Sequence, residues 1–176
     1  KNQVLTYEDV GLGISANIFP ILKSWQVYEE TEAIGGYIRD FHFVNKDFNY
    51  LKSFTLKHPA LSVKRKEFYE ILHSKLDHTH VFLGQQKSSK DVNTSDILVS
   101  AAGINSLARQ ELLPSVQLRD SGQLLWRGIS QLPLPKRYQN AYHDLVGKNL
   151  RFAIIHAGQD YYSWYLIKEL DEQFEG

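Results

Sequence analysis

Residues 96–109 read DILVSAAGINSLAR. Ile97, Leu98 and Val99 make a compact apolar run, small residues follow, and Gly103 closes it. Such a run reads as a buried, parallel-type strand feeding a tight turn. Small residues in that turn let the backbone turn sharply. Ile104, Asn105 and Ser106 then lead into a short helix over 107–112, with Asn105 or Ser106 available as caps and Pro114 as its stop.

Upstream of this stretch, residues 62–76 carry the clearest helical pattern. Phe68, Ile71, Leu72 and Leu76 form one apolar stripe, and Lys66 and Glu70 stand four apart on the outer face. Residues 10–15 read as a glycine-punctuated loop leading into a helix over 16–25, with Ser15 as N-cap and Pro20 in the first turn. After Gly35-Gly36, the residues Tyr37, Arg39, Phe41 and Phe43 alternate with Ile38, Asp40, His42 and Val44, which predicts a strand. Residues 45–49 are a turn, and 50–56 the return strand. Residues 78–83 read as a short strand and 85–95 as a polar loop. The last third is β-rich, with strands over 124–130, 150–156 and 161–170, the last two joined by a turn at Gly158-Gln159-Asp160.

The bulk numbers remove several function classes. The 176 residues carry 20 basic and 20 acidic side chains, so no whole-chain field draws the protein to nucleic acid or to an anionic membrane. No apolar run approaches the ~20 residues of a membrane helix. There is no cysteine, hence no disulfide or thiolate metal site, which fits a cytoplasmic location. His78 and His80 would share one face of a strand, but no third ligand lies at metal spacing. Gly-x-Ser-x-Gly is absent. There is also no methionine, and the first residue is Lys1.

Residues 96–109 resemble the middle motif of the flavin-dependent aromatic-ring hydroxylases (para-hydroxybenzoate hydroxylase-like FAD monooxygenases), D-x-x-V-G-A-D-G-x-x-S-x-V-R. Asp96, Val99, Ala101, Gly103, Ser106 and Arg109 match it. Residues 10–27, VGLGISANIFPILKSWQV, are similar to the family's V-G-A-G-I segment, with Asn17 at the asparagine position. Residues 62–72, SVKRKEFYEIL, are similar to V-x-R-x-x-L-x-x-x-L, with Arg65 at the arginine that contacts flavin in that family. Residues 125–128 (LWRG) and 161–166 (YYSWYL) resemble two later strands. The matches run in order along nearly the whole chain. Three features depart from the pattern. No G-x-G-x-x-G precedes the first match, no G-D motif follows the last, and Ala102 stands where the family has Asp.

The resemblance implies an α+β fold: part of an α/β FAD-binding domain (1–30 and 60–112) beside an antiparallel β-sheet substrate domain (31–59 and 113–176). It implies that the chain is an internal piece of a monooxygenase that uses FAD, NAD(P)H and O₂ on a small aromatic substrate. Arg65, Gly103, Asn17 and Arg109 become candidates for the cofactor, and Tyr37, Phe41, Phe43 and Trp164 for the substrate. No residue is assigned an acid, base or nucleophile role, because the cofactor carries that chemistry. The plainer reading of each residue stands beside this one. Arg65 is a solvated helix-start residue, Gly103 a turn glycine, Arg109 an ion-pair partner, and the aromatics a sheet core. The alternatives are a non-catalytic binding domain derived from the fold, or an FAD-dependent reductase or halogenase. Apolar surface left uncovered in such a piece implies self-association.

Overall fold

The computed structural model describes residues 8–76, 81–85, 87–93 and 97–170. By contacts the chain divides into two units, residues 1–6 with 78–121 and residues 7–77 with 122–176. These boundaries cut the chain at other places than the sequence-based division into 1–30 with 60–112 and 31–59 with 113–176.

The larger unit holds a seven-stranded sheet. Its strands are β1 (Gly11–Ile14), β2 (Gly36–Val44), β3 (Tyr50–Lys64), β4 (Gln123–Gln131), β5 (Ala141–Gly147), β6 (Leu150–His156) and β7 (Tyr161–Glu169). Their order is β1-β3-β2-β5-β6-β7-β4. Every neighbouring pair is antiparallel except β2 and β5, which run parallel with Asp40 opposite Ala141. The sheet curls on itself. Although four strands lie between β1 and β7 in the ladder, a Cβ on Gly11 would run into the Ser163 side chain of β7.

Three helices pack at the β1/β3 end: α1 (Phe19–Ser24), α2 (Tyr28–Ile34) and α3 (Arg65–Ser74). Their core is Ile14, Leu22, Val27, Leu61, Val63 and Phe68, with Ile71 and Leu72 against it. Phe68, Ile71 and Leu72 of the apolar stripe read from residues 62–76 are therefore the packed face of α3, but the helix is shorter than its pattern, and Leu76 lies beyond it and is half exposed. Ser62 and Val63 are paired in β3, opposite Gly13 and Leu12 of β1, so tertiary pairing overrides the helical reading there. For the same reason Gly11 and Gly13 lie in a strand rather than a loop. Pro20 sits in the first turn of α1 as expected, whereas Ser15 makes no side-chain cap. The helix ahead of it is a 3-10 turn at Ala16–Ile18.

Residues 36–56 and 150–170 form the strands and turns expected of them. The β6–β7 turn has Gly158 at φ 86° and Gln159 at φ 48°. Strand β5 is additional. It is joined to β6 by a tight turn whose Asn149 has φ 56°.

The smaller unit corrects the reading of residues 96–103. No strand forms over 97–102, and Ile97 and Val99 are 92% and 84% exposed. A buried parallel strand needs a neighbour on each side, and among the described residues nothing pairs with this run. Residues 81–83 are likewise not a strand, and 78–80 lie outside the described residues. The turn itself is as read. Gly103 has φ 68°, and a Cβ there would meet nothing within 4 Å, so backbone conformation rather than packing calls for glycine. Helix α4 (Leu107–Leu112) follows, and Ser106 Oγ caps it by accepting from Arg109 N at 3.2 Å. Among the described residues no helix is long and apolar enough to cross a membrane.

Candidate functional site

The curl of the sheet encloses a cavity of about 520 Å³ between β1 and the faces of β2, β5, β6, β7 and β4. Its walls are mostly apolar, among them Ile38, Phe41, Leu125, Ile155 and Ile167. Pockets for small organic ligands have this size and character.

Polar groups meet at one part of the lining. Tyr142 of β5 and Tyr165 of β7 both face the cavity, and their hydroxyls are hydrogen-bonded to each other. Tyr142 also donates to Asp144 Oδ2 at 3.1 Å. Asp144 is fully buried, and its carboxylate is held by the Arg151 guanidinium across the β5–β6 hairpin. A buried charge is tolerable when paired and hydrogen-bonded in this way. Burial, followed by the Tyr165 hydroxyl, pushes the Tyr142 hydroxyl well above the usual phenol range. Burial also raises Tyr165. Both rings therefore present neutral hydroxyls at physiological pH.

Two aromatic candidates from the sequence line this cavity. Phe41 stacks on Tyr142 at 4.6 Å between centroids and on Phe54 at 5.3 Å. Trp164 packs against Gly128, where a Cβ would come within 2.7 Å of the indole, and its Nε1 donates to Ser130 Oγ at 3.1 Å. Phe43 lies farther along β2, near Phe54 at 6.4 Å, and is not in the lining. Tyr37 faces a different hollow. Its hydroxyl donates to Glu32 of α2 and contacts Tyr28, and the Glu32 bond, ahead of Tyr28, raises its pKa.

The split of Tyr37 from Phe41 has a local cause. Ile38 pairs with Ala60 but Asp40 pairs with Thr55, so Arg39 alone stands against residues 56–59 of β3. Such a bulge breaks strict alternation and re-aims side chains. Ile38 and Phe41 thus share the cavity, while Tyr37 and Arg39 face the other hollow.

At the β1 side, Arg65 is the first residue of α3, and its N–H donates to Val10 O at 2.9 Å. Its guanidinium lies 5.1 Å from the Tyr69 ring centroid and 3.7 Å from the Glu8 carboxylate. Glu8 also pairs with Arg127 at 2.8 Å, and Arg127 lines the cavity. Asn17 lies in the other hollow, with Tyr37. Gly103 and Arg109 belong to the smaller unit. The two Nη groups of Arg109 donate to Ile104 O at 3.0 Å and Val116 O at 3.3 Å, an arrangement that ties the α4 region together.

No family model and no curated protein sequence matches the chain. Solved structures do match. Klebsiella pneumoniae HpxO, solved with FAD and uric acid, aligns over 98% of this chain and 50% of its own, with TM-score 0.75 and 16% identity. CtdE, solved with FAD and a substrate, aligns over 98% and 51%, with TM-score 0.76 and 11% identity. The 2,6-dihydroxypyridine-3-hydroxylase of Arthrobacter nicotinovorans aligns over 97% and 49%, with TM-score 0.68 and 13% identity. The chain has the fold shared by these three proteins. At such identities the fold alone is shared, and the chain spans about half the length of each structure.

The β1 edge also fits a flat cofactor. β1 ends the sheet of the described residues, among which no strand pairs with its outer N–H and C=O groups, and a Cβ on Gly13 would meet nothing within 4 Å. A planar ring can approach such a backbone closely. The residues that sequence reasoning missed are Tyr142, Asp144, Arg151, Tyr165 and Arg127. The signal was present in the alternation of Tyr142 and Asp144, where a lone carboxylate interrupts an otherwise half-apolar strand.

Proposed function

We propose that the chain forms the substrate sheet and one side of the flavin site of an FAD-dependent monooxygenase that hydroxylates a small aromatic substrate in the cytoplasm. The observation that carries this reading is the cavity. It is mostly apolar, flanked by Phe41 and Trp164, lined on one side by β1, and carries the Tyr142–Tyr165 hydroxyl pair, Arg127 and the Ser62 and Ser163 side chains among its polar groups. The fold likeness to FAD-bound proteins supports the choice of cofactor. When bound, FAD would pass two electrons from NAD(P)H to O₂, so that one oxygen atom enters the substrate and the other leaves as water.

This chain's residues would do the rest. Backbone at Leu12–Ile14 would flank the flavin ring, and Arg65 would turn from Glu8 to the cofactor's oxygens. Phe41, Trp164 and Ile155 would hold the ring of the substrate and exclude water. The neutral Tyr142–Tyr165 pair, fixed by Asp144 and Arg151, would orient a polar substituent.

The test uses the full reading frame loaded with FAD. Phenols and N-heteroaromatics should stimulate NAD(P)H oxidation and O₂ uptake and emerge with one added oxygen. Tyr165→Phe should lower kcat/KM by about 10-fold or more, the worth of one hydrogen bond in a buried site. Absence of substrate-stimulated oxidation across the panel would instead favour a non-catalytic binding domain, and oxidation without oxygen transfer a reductase.

A further inference from the structure

The second hollow of the larger unit lies beyond the β2 bulge, encloses about 710 Å³, and has no part in the reading above. Its lining contains Lys23, Arg39 and His58, the Asn17 amide, and no carboxylate. The cations around the cavity and on α3 are mostly paired: Lys64 with Glu67, Arg65 and Arg127 with Glu8, Arg151 with Asp144. Lys23 and Arg39 have no acidic partner among the described residues. They lie instead over aromatic rings, Lys23 Nζ at 4.6 Å from the Tyr28 centroid and Arg39 at 5.6 Å from the Tyr37 centroid. The nearby acids are engaged elsewhere. Glu32 is held by Tyr28 and Tyr37, and Asp40 accepts from Thr55 Oγ1 at 2.6 Å.

The hollow is built rather than incidental. The bulge that turns Arg39 into it also carries His58 and Pro59 out of the ladder to form its wall. Arg39 N and Asp40 N both donate to Asn140 O, at 2.7 and 3.3 Å, which fixes the irregular backbone from the β5 side. Phe19, Pro20 and Pro59 supply flat apolar walls.

We propose that this hollow binds a small organic oxyanion, a carboxylate or phosphate ester on a flat apolar body. The guanidinium of Arg39 and the ammonium of Lys23 take the charge, the Asn17 amide supplies a further donor, and the Phe19 and proline walls cover the body. A guanidinium offers paired donors to either oxyanion, and desolvation against the rings strengthens the contact.

The chain itself suffices for the test, with backbone amide shifts followed by NMR during titration with benzoate, phenyl phosphate and neutral benzamide. Saturable shifts at Asn17, Lys23 and Arg39 with benzoate or phenyl phosphate are expected, and the tighter of the two names the oxyanion. Benzamide should bind at least 10-fold more weakly. Arg39→Gln and Lys23→Gln, both exposed, should each weaken anion binding about 10-fold while the remaining spectrum is kept, as loss of a charged hydrogen bond dictates. Lys52→Gln, on the exposed part of β3, should change nothing. Equal binding of benzamide, undiminished binding by both variants, or shifts at Tyr142 and Tyr165 in place of Asn17 and Arg39 would overturn the proposal. None of these results depends on flavin or on turnover.

Discussion

Two buried side chains make the sharpest statements at the scale of single residues. Asp144 has no exposed surface, and Arg151 is its only cationic partner among the described residues. Arg151→Ala should therefore leave a carboxylate stranded in the sheet and lower stability by roughly 2–3 kcal/mol, read as a lower urea midpoint. His143 poses the opposite problem. It is 7% exposed, and neither ring nitrogen has a hydrogen-bond partner among the described residues. Burial, then the neighbouring His42 of β2 and Arg137 of the Lys136–Tyr138 turn, lowers its pKa from 6.5 to about 4. The folded state thus holds it neutral while the unfolded chain takes up a proton below pH 6.5. Stability should fall as pH drops from 6.5 to 4 and level off below, by a loss of the order of 3 kcal/mol. Tyr138 and His42 pack on the ring, both at 4.7 Å between centroids, so an apolar ring fits the same space. In His143→Phe the slope over that window should flatten in urea melts at successive pH values; an unchanged slope would assign it to other groups.

Among the elements, β1 shows how much a short strand can decide. Only four residues long, it ends the sheet, roofs the cavity and meets β7 through Gly11. Gly11→Ala should push β1 off Ser163, cost about 1–3 kcal/mol as overpacking does, and raise amide exchange at Leu12 and Ile14 before the rest of the sheet. Unchanged exchange at β1 would show that Ser163 yields instead. The alternation in 36–44 marked a strand, although the bulge breaks its period, and the stripe in 62–76 marked a helix because Phe68, Ile71 and Leu72 pack on one face. β1 was not legible, since two glycines in four residues carry no strand propensity and only the partner β3 makes them a strand. The bulge at Arg39 was equally hidden. Period two in the sequence groups Tyr37 with Phe41, and the one mark of the four residues of β3 that stand against one of β2 is Pro59, which cannot donate to the ladder but does not say which residue of β2 it faces. Hence the structure separates the substrate candidates: Phe41 and Trp164 line the cavity, Tyr37 lines the other hollow, and Phe43 lines neither. Tyr142 and Asp144 were missed because β5 was not assigned, and Arg151, on an expected strand, then had no partner strand to face.

For the whole molecule, the middle motif forms only in part. The turn at Gly103 and the cap at Ser106 form as the sequence requires, because both are local. The strand before them does not form, because a buried strand is made by its neighbours. Ile97, Val99, Ile104, Leu112 and Leu113 are all more than half exposed. Uncovered apolar surface of this kind should make the chain self-associate, with sedimentation showing a mass that grows with concentration. Ile97→Lys with Val99→Lys should shift that equilibrium toward monomer. Association that ignores both substitutions would place the contact elsewhere.

The parallel pairing of β2 with β5 has a consequence in time. Asp40 meets Ala141 only after the hundred residues between them have been made. At ~5–20 residues per second, a ribosome leaves the β2 edge waiting roughly 5–20 s for its partner. Over that interval Phe41, Phe43 and Phe54 sit on an open two-stranded ribbon, the kind of edge that recruits strands from other chains. The nascent polypeptide is thus most in need of a chaperone while residues 45–140 are being made, and slow codons in that interval should lower the soluble yield.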